Sequence, residues 1–62
     1  MTDDVDSTIR KLRHDIANPL GAILAETQLL LLRASELDAE TVTSLKEIES
    51  SVRRIRDLLQ KR

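Results

Sequence analysis

Sixty-two residues carrying 10 basic and 11 acidic side chains, with no cysteine and no aromatic ring, describe at most one small domain without a disulfide or a thiolate metal site. The formal charge of −1 supplies no field for DNA or an anionic lipid surface, and no ring is present to stack on bases. Hydrophobic residues nevertheless make up 40% of the chain, too many for a disordered tail, so a second copy is expected to complete a core that one copy is too short to close.

The chain starts on acids (Asp3, Asp4, Asp6), unlike the basic start of a signal peptide, and is expected in the cytoplasm. Apolar runs such as Leu29–Leu32 fall far short of the roughly 20 residues that cross a bilayer, so no membrane insertion is expected.

A first helix is predicted over about 6–34, capped by Asp6 or Ser7. Its apolar series is Val5, Ile9, Leu12, Ile16, Leu20, Ile23, Thr27, Leu30 and Ala34, with Leu24 and Leu31 widening the stripe. Every step is three or four residues, the period of one helix face. A helix beginning only at Pro19 would leave the in-phase residues from Val5 to Ile16 unexplained. The polar connection Ser35-Glu36-Leu37-Asp38 is short enough to make the next helix an antiparallel neighbour. That second helix is predicted over about 39–61, with Asp38 as its N-cap, Glu40 in its first turn, and Arg and Lys crowding its last turns. Its seam is Val42, Leu45, Ile48, Val52, Ile55 and Leu59, heptad-spaced from Leu45 onward. The expected fold is all-α: one domain, an antiparallel two-helix hairpin that homodimerises into a four-helix bundle.

The unusual residues fall on the outer face of the first helix. Winding at 3.6 residues per turn puts His14 about 150° from the predicted stripe, facing solvent. Asn18 follows one turn below it. Around and beneath them lie Ala17, Gly21, Ala22 and Ala25, small side chains where a solvated face normally carries Lys, Glu or Gln. Leu29 and Leu32 also point outward farther down, which suggests a docking surface made of Ala17, Gly21, Ala25, Leu29 and Leu32. Arg10 and Arg13, near His14, are placed to neutralise a phosphoryl group on its ring, whereas Lys11 reads as solvated surface. Pro19 removes the amide that would bond the Asp15 carbonyl, at a cost of about 3 kcal/mol, so a helix bend is expected beside the only imidazole.

The stretch Leu12-Arg13-His14-Asp15-Ile16-Ala17-Asn18-Pro19-Leu20 resembles the H-box of sensor histidine kinases: His, an acid, an aliphatic residue, any residue, Thr or Asn, Pro, an aliphatic residue. Leu45, Ile48, Ser51, Arg54, Ile55, Leu58 and Leu59 look like the second helix of the same dimerisation and histidine phosphotransfer domain, so the resemblance spans roughly 5–62. It implies His14 as the phosphoacceptor, a neutral imidazole nitrogen being a competent nucleophile near neutral pH. It further implies that Asp15 orients or deprotonates the ring and that Asn18 positions water during dephosphorylation. The implied partners are a second copy, a kinase ATP-binding domain, and a response-regulator receiver domain whose aspartate takes the phosphoryl group. The implied setting is the cytoplasm, including the cytoplasmic part of a membrane-bound sensor. The chain holds no Gly-rich phosphate loop; it is expected to bind no cofactor or metal itself, with ATP-Mg held by a separate catalytic domain, so it is not expected to use ATP alone. The competing reading is a hairpin dimerisation or scaffold module without phosphotransfer. Nucleic-acid binding through Arg53, Arg54, Arg56, Lys61 and Arg62 is disfavoured, because Glu47, Glu49 and Asp57 interleave with those charges.

Overall fold

The computed structural model describes the backbone of residues 2–61 and the side chains of 4–61; the Asp3 side chain and Arg62, both noted above, lie outside the described residues. Two helices, α1 (Thr2–Leu31) and α2 (Ala39–Gln60), run antiparallel and are joined through a single 3-10 turn at Ala34–Glu36. The result is a rod of 54 × 16 × 11 Å, and no strand occurs among the described residues.

Both ends of α1 differ from the sequence expectation. The helix already includes Asp6 and Ser7, so neither caps it. Acids in its opening turns suit the positive end of the dipole, and the apolar period begins at Val5, so nothing stops the helix from starting earlier. It also ends at Leu31 rather than near residue 34. No glycine or asparagine follows Leu31 to adopt a left-handed cap, and no residue among those described has positive φ. The chain instead tightens: the Arg33 amide donates to the Leu30 carbonyl at 3.0 Å and the Glu36 amide to the Arg33 carbonyl at 2.9 Å.

The start of α2 matches expectation. Asp38 is extended (φ −73°, ψ 160°), and its carboxylate accepts from the Thr41 amide at 3.1 Å. Hydrogen bonding from the Thr41 side chain, then from its amide, holds the Asp38 carboxyl below the usual carboxylate range. A depressed acid stabilises the fold above its unfolded pKa, and that contribution is lost as pH falls through the folded value. Asp38→Ala is therefore expected to lower the melting temperature at neutral pH. Asp38→Asn should keep most of the cap but lose the part of the acid destabilisation owed to this carboxyl; thermal melts between pH 7 and pH 2 check both. At the far end of α2 the last turn holds no basic residue. Arg53, Arg54 and Arg56 occupy the turn before it, so the cations of α2 gather in its closing turns but not in the final one.

Leu20, Leu24, Leu45 and Val52 form the buried core, Val52 most deeply at 4% exposure. Leu59 packs against Leu20, Leu24 and Val52. On α2 the inward positions Leu45, Val52 and Leu59 are one heptad apart, as a helix–helix seam requires. On α1 the seam runs Leu20, Leu24, Thr27 and half-buried Leu31. Leu24 and Leu31, which the sequence placed at the margin of the stripe, thus belong to its centre. Thr27 is only 5% exposed, yet its hydroxyl donates to the Ile23 carbonyl at 2.7 Å, so the buried oxygen is satisfied.

The remaining expected core residues stay half open. Ile9, Ile16, Ile23 and Leu30 are one heptad apart and 38–46% exposed, and Ile48 and Ile55 on α2 are 43% and 40% exposed. These residues step off the two seams on one side of the hairpin. On the other side the Gln28 amide donates to the Glu49 carboxylate at 3.4 Å, while Ala17 and Gly21 share a groove with Arg56, Leu59 and Gln60. The hairpin therefore has an isoleucine face and an opposite groove face of small, apolar and polar side chains.

Candidate functional site

Helix α1 runs unbroken through Pro19 and carries the site residues on its outer surface. Residue 19 has no N–H, so the Asp15 carbonyl lacks its regular helical donor. His14, Asp15, Asn18 and Pro19 are all exposed. Among the described residues, no side-chain hydrogen bond or ion pair holds His14, Asp15 or Asn18. The imidazole is free to meet a partner.

Helical winding sets which groups His14 can meet. Measured from the observed seam, its azimuth is about 110° round the helix, on the side of the groove. Gly21 lies two turns below it at almost the same azimuth, and Leu32 continues the column. Asn18 stands one turn below the ring, within side-chain reach. Asp15 is the next residue along and so about 100° away, so regular helix geometry does not bring its carboxylate to the ring. Arg10 and Arg13 are exposed and free of ion pairs among the described residues, one turn above and immediately before the histidine. Arg10 thus stands near the face of the ring, whereas Arg13, like Asp15, is about 100° away round the helix.

The small-residue face is open as the sequence suggested. A Cβ added at Gly21 would meet nothing within 4 Å. Lower down, Ala25, Gln28, Leu29 and Leu32 line a shallow apolar depression, with Leu29 57% and Leu32 82% exposed. Both leucines stay outside the hairpin core.

The antiparallel register adds residues that the sequence did not single out. With Gln28 opposite Glu49, stepping up α1 and down α2 brings Ala17 level with Gln60. The shared groove of Ala17, Gly21, Arg56, Leu59 and Gln60 agrees with that alignment. α1 above Ala17 therefore has no α2 partner among the described residues, and Val5 and Leu12 there are 58% and 56% exposed. Arg56 and Gln60 border the same groove as Ala17 and Gly21, yet the sequence marks Arg56 only within a run of charge and does not mark Gln60. Fixing the antiparallel register from the Leu45–Val52–Leu59 heptad would have found them.

Among the described residues, no group of three or more His, Asp or Glu side chains could hold a metal. None of the helices described is long and apolar enough to cross a membrane.

A model of the His kinase A (phospho-acceptor) domain matches residues 5–61. No curated protein and no solved structure matches the chain.

Proposed function

The chain belongs to the His kinase A phospho-acceptor domain family, a histidine-kinase phosphoacceptor and dimerisation module, and from that membership we propose that His14 is its phosphoacceptor. The carrying observation is an exposed imidazole on α1 with no side-chain partner among the described residues, above a face cleared to alanine and glycine, inside the matched span. A ring nitrogen attacks the γ-phosphorus of ATP held by a separate kinase domain. A P–N bond forms, the P–O bond to ADP breaks, and the ring sheds its proton. Arg10, one turn above the ring, offsets the charge that arrives, and Arg13 adds its positive charge from the neighbouring face. The phosphoryl group then passes to an aspartate of a response-regulator receiver domain. That domain docks along Ala17, Gly21, Ala25, Leu29 and Leu32, where small side chains permit close approach and two exposed leucines offer apolar area. Asn18, one turn below the ring, holds the water that removes phosphate from the partner.

The same reading has the isoleucine face covered by a second copy, which makes a four-helix bundle, and places the module in the cytoplasm. Incubating the chain with a histidine-kinase ATP-binding domain, Mg²⁺ and labelled ATP is expected to put acid-labile label on it. An unlabelled chain after such treatment would favour a dimerisation module without phosphotransfer.

In this reading Pro19 weakens α1 beside the site, so that Asp15 gains the freedom to reach the ring that a regular helix denies it. Pro19→Ala restores an amide for the Asp15 carbonyl, and is expected to stabilise the hairpin by up to about 3 kcal/mol while slowing phosphoryl transfer. Melting curves and single-turnover transfer rates check the two halves. Unchanged transfer would make the proline incidental to the chemistry.

A further inference from the structure

Arg56 is exposed and makes no ion pair among the described residues. Its helical neighbours at three and four residues are Val52, Arg53, Leu59 and Gln60, none of them acidic, and across the groove it faces Ala17 and Gly21. Arg53, by contrast, is paired with Glu49 at 3.4 Å. Arg56 also shares a second depression with Arg53, Asp57 and Gln60, but it makes no ion pair with Asp57 among the described residues.

The groove opens on the same side of the hairpin as His14. By register Arg56 is level with Gly21, seven residues and about 10 Å along the axis from the histidine. Side chains lean toward the N-terminus of their own helix, so in this antiparallel pair His14 and Arg56 lean away from each other. Arg56 is thus placed to meet a body seated in the groove, not the phosphoryl group on the ring.

We infer that the groove of Ala17, Gly21, Arg56 and Gln60 seats an acidic edge of the domain that takes the phosphoryl group from His14, with Arg56 as the positioning cation. This rests on the phosphotransfer reading above. The acceptor brings a carboxylate toward a phosphorylated imidazole, and two anions repel. An unpaired guanidinium beside a floor of bare backbone offsets that repulsion and can grip a carboxylate through two parallel N–H donors. Transfer itself conserves electrons. A carboxylate oxygen attacks phosphorus, an acyl phosphate forms, and the P–N bond breaks with its electron pair returning to the ring nitrogen.

The test loads the chain with phosphoramidate, which gives its phosphoryl group to imidazole and releases ammonia, so no kinase domain is needed. Discharge is then followed with isolated receiver domains, using the one that empties the wild type fastest. Arg56→Gln is expected to load normally and to slow transfer at low salt by about tenfold, a deficit that shrinks as salt screens the wild-type contact. Arg56→Lys should recover part of the rate. Arg54→Gln removes the same charge from another face of α2, beside Thr43, Lys46 and Ser50, and should transfer like the wild type. Transfer by Arg56→Gln within twofold of wild type, or equal damage from Arg54→Gln, would overturn the inference. A loaded wild type that no receiver discharges would instead remove the phosphotransfer reading on which it rests.

Discussion

Ile23→Glu is expected to turn a folded dimer into an unfolded monomer. One hairpin buries few side chains: Leu20, Leu24, Thr27, Leu45 and Val52 are its only described residues at or below 9% exposure. A chain of 7.0 kDa with so small a core has little stability of its own. The line Ile9, Ile16, Ile23 and Leu30, with Ile48 and Ile55 beside it, supplies the remaining apolar surface. Covering the exposed half of each contributes about 1 kcal/mol. Ile23 stands in the middle of that line, one heptad from Ile16 and from Leu30, so a carboxylate there would be stranded among apolar side chains at a cost of several kcal/mol. Sedimentation of the wild type should give about twice 7.0 kDa, and circular dichroism of Ile23→Glu should show most helix lost. Ser50→Glu adds the same charge to the α2 face lined by Thr43, Lys46 and Arg54, and should leave the dimer intact. A wild type that stays monomeric and folded at micromolar concentration would contradict the assembly.

His14→Gln is expected to abolish labelling altogether. Glutamine keeps a polar, solvated side chain but has no nucleophilic ring nitrogen, so no phosphoramidate bond can form. His14 makes no hydrogen bond among the described residues and is exposed, so the variant should match the wild type in helicity and sedimentation. Loss of label with the fold retained assigns the chemistry to the ring. Acid-labile label persisting on His14→Gln would move the acceptor elsewhere and end the reading, because this is the chain's only imidazole.

Much of the fold was legible because helical period and capping are local. The Asp38 cap follows from a carboxylate three residues ahead of the amide it accepts from, and the exposure of His14 follows from winding. The ends of α1 were less legible. The apolar stripe marks a face, not a boundary, and acids near an N-terminus suit several starting points equally. The seam was misplaced for a related reason. Leu24 and Ile23 are both apolar neighbours on one broad stripe, and composition cannot say which of them meets α2 and which is left for another surface.

By itself the sequence determined the hairpin, the cap that starts its second helix, the solvent-facing imidazole and the cleared face beneath it, since each depends on spacing within a few residues. Only the tertiary structure decided the register between the helices. Register comes from side chains of one helix fitting between those of another far away in the chain. It sets Gln28 against Glu49, divides the hairpin into an isoleucine face and a groove face, and brings Arg56 and Gln60 beside Ala17 and Gly21.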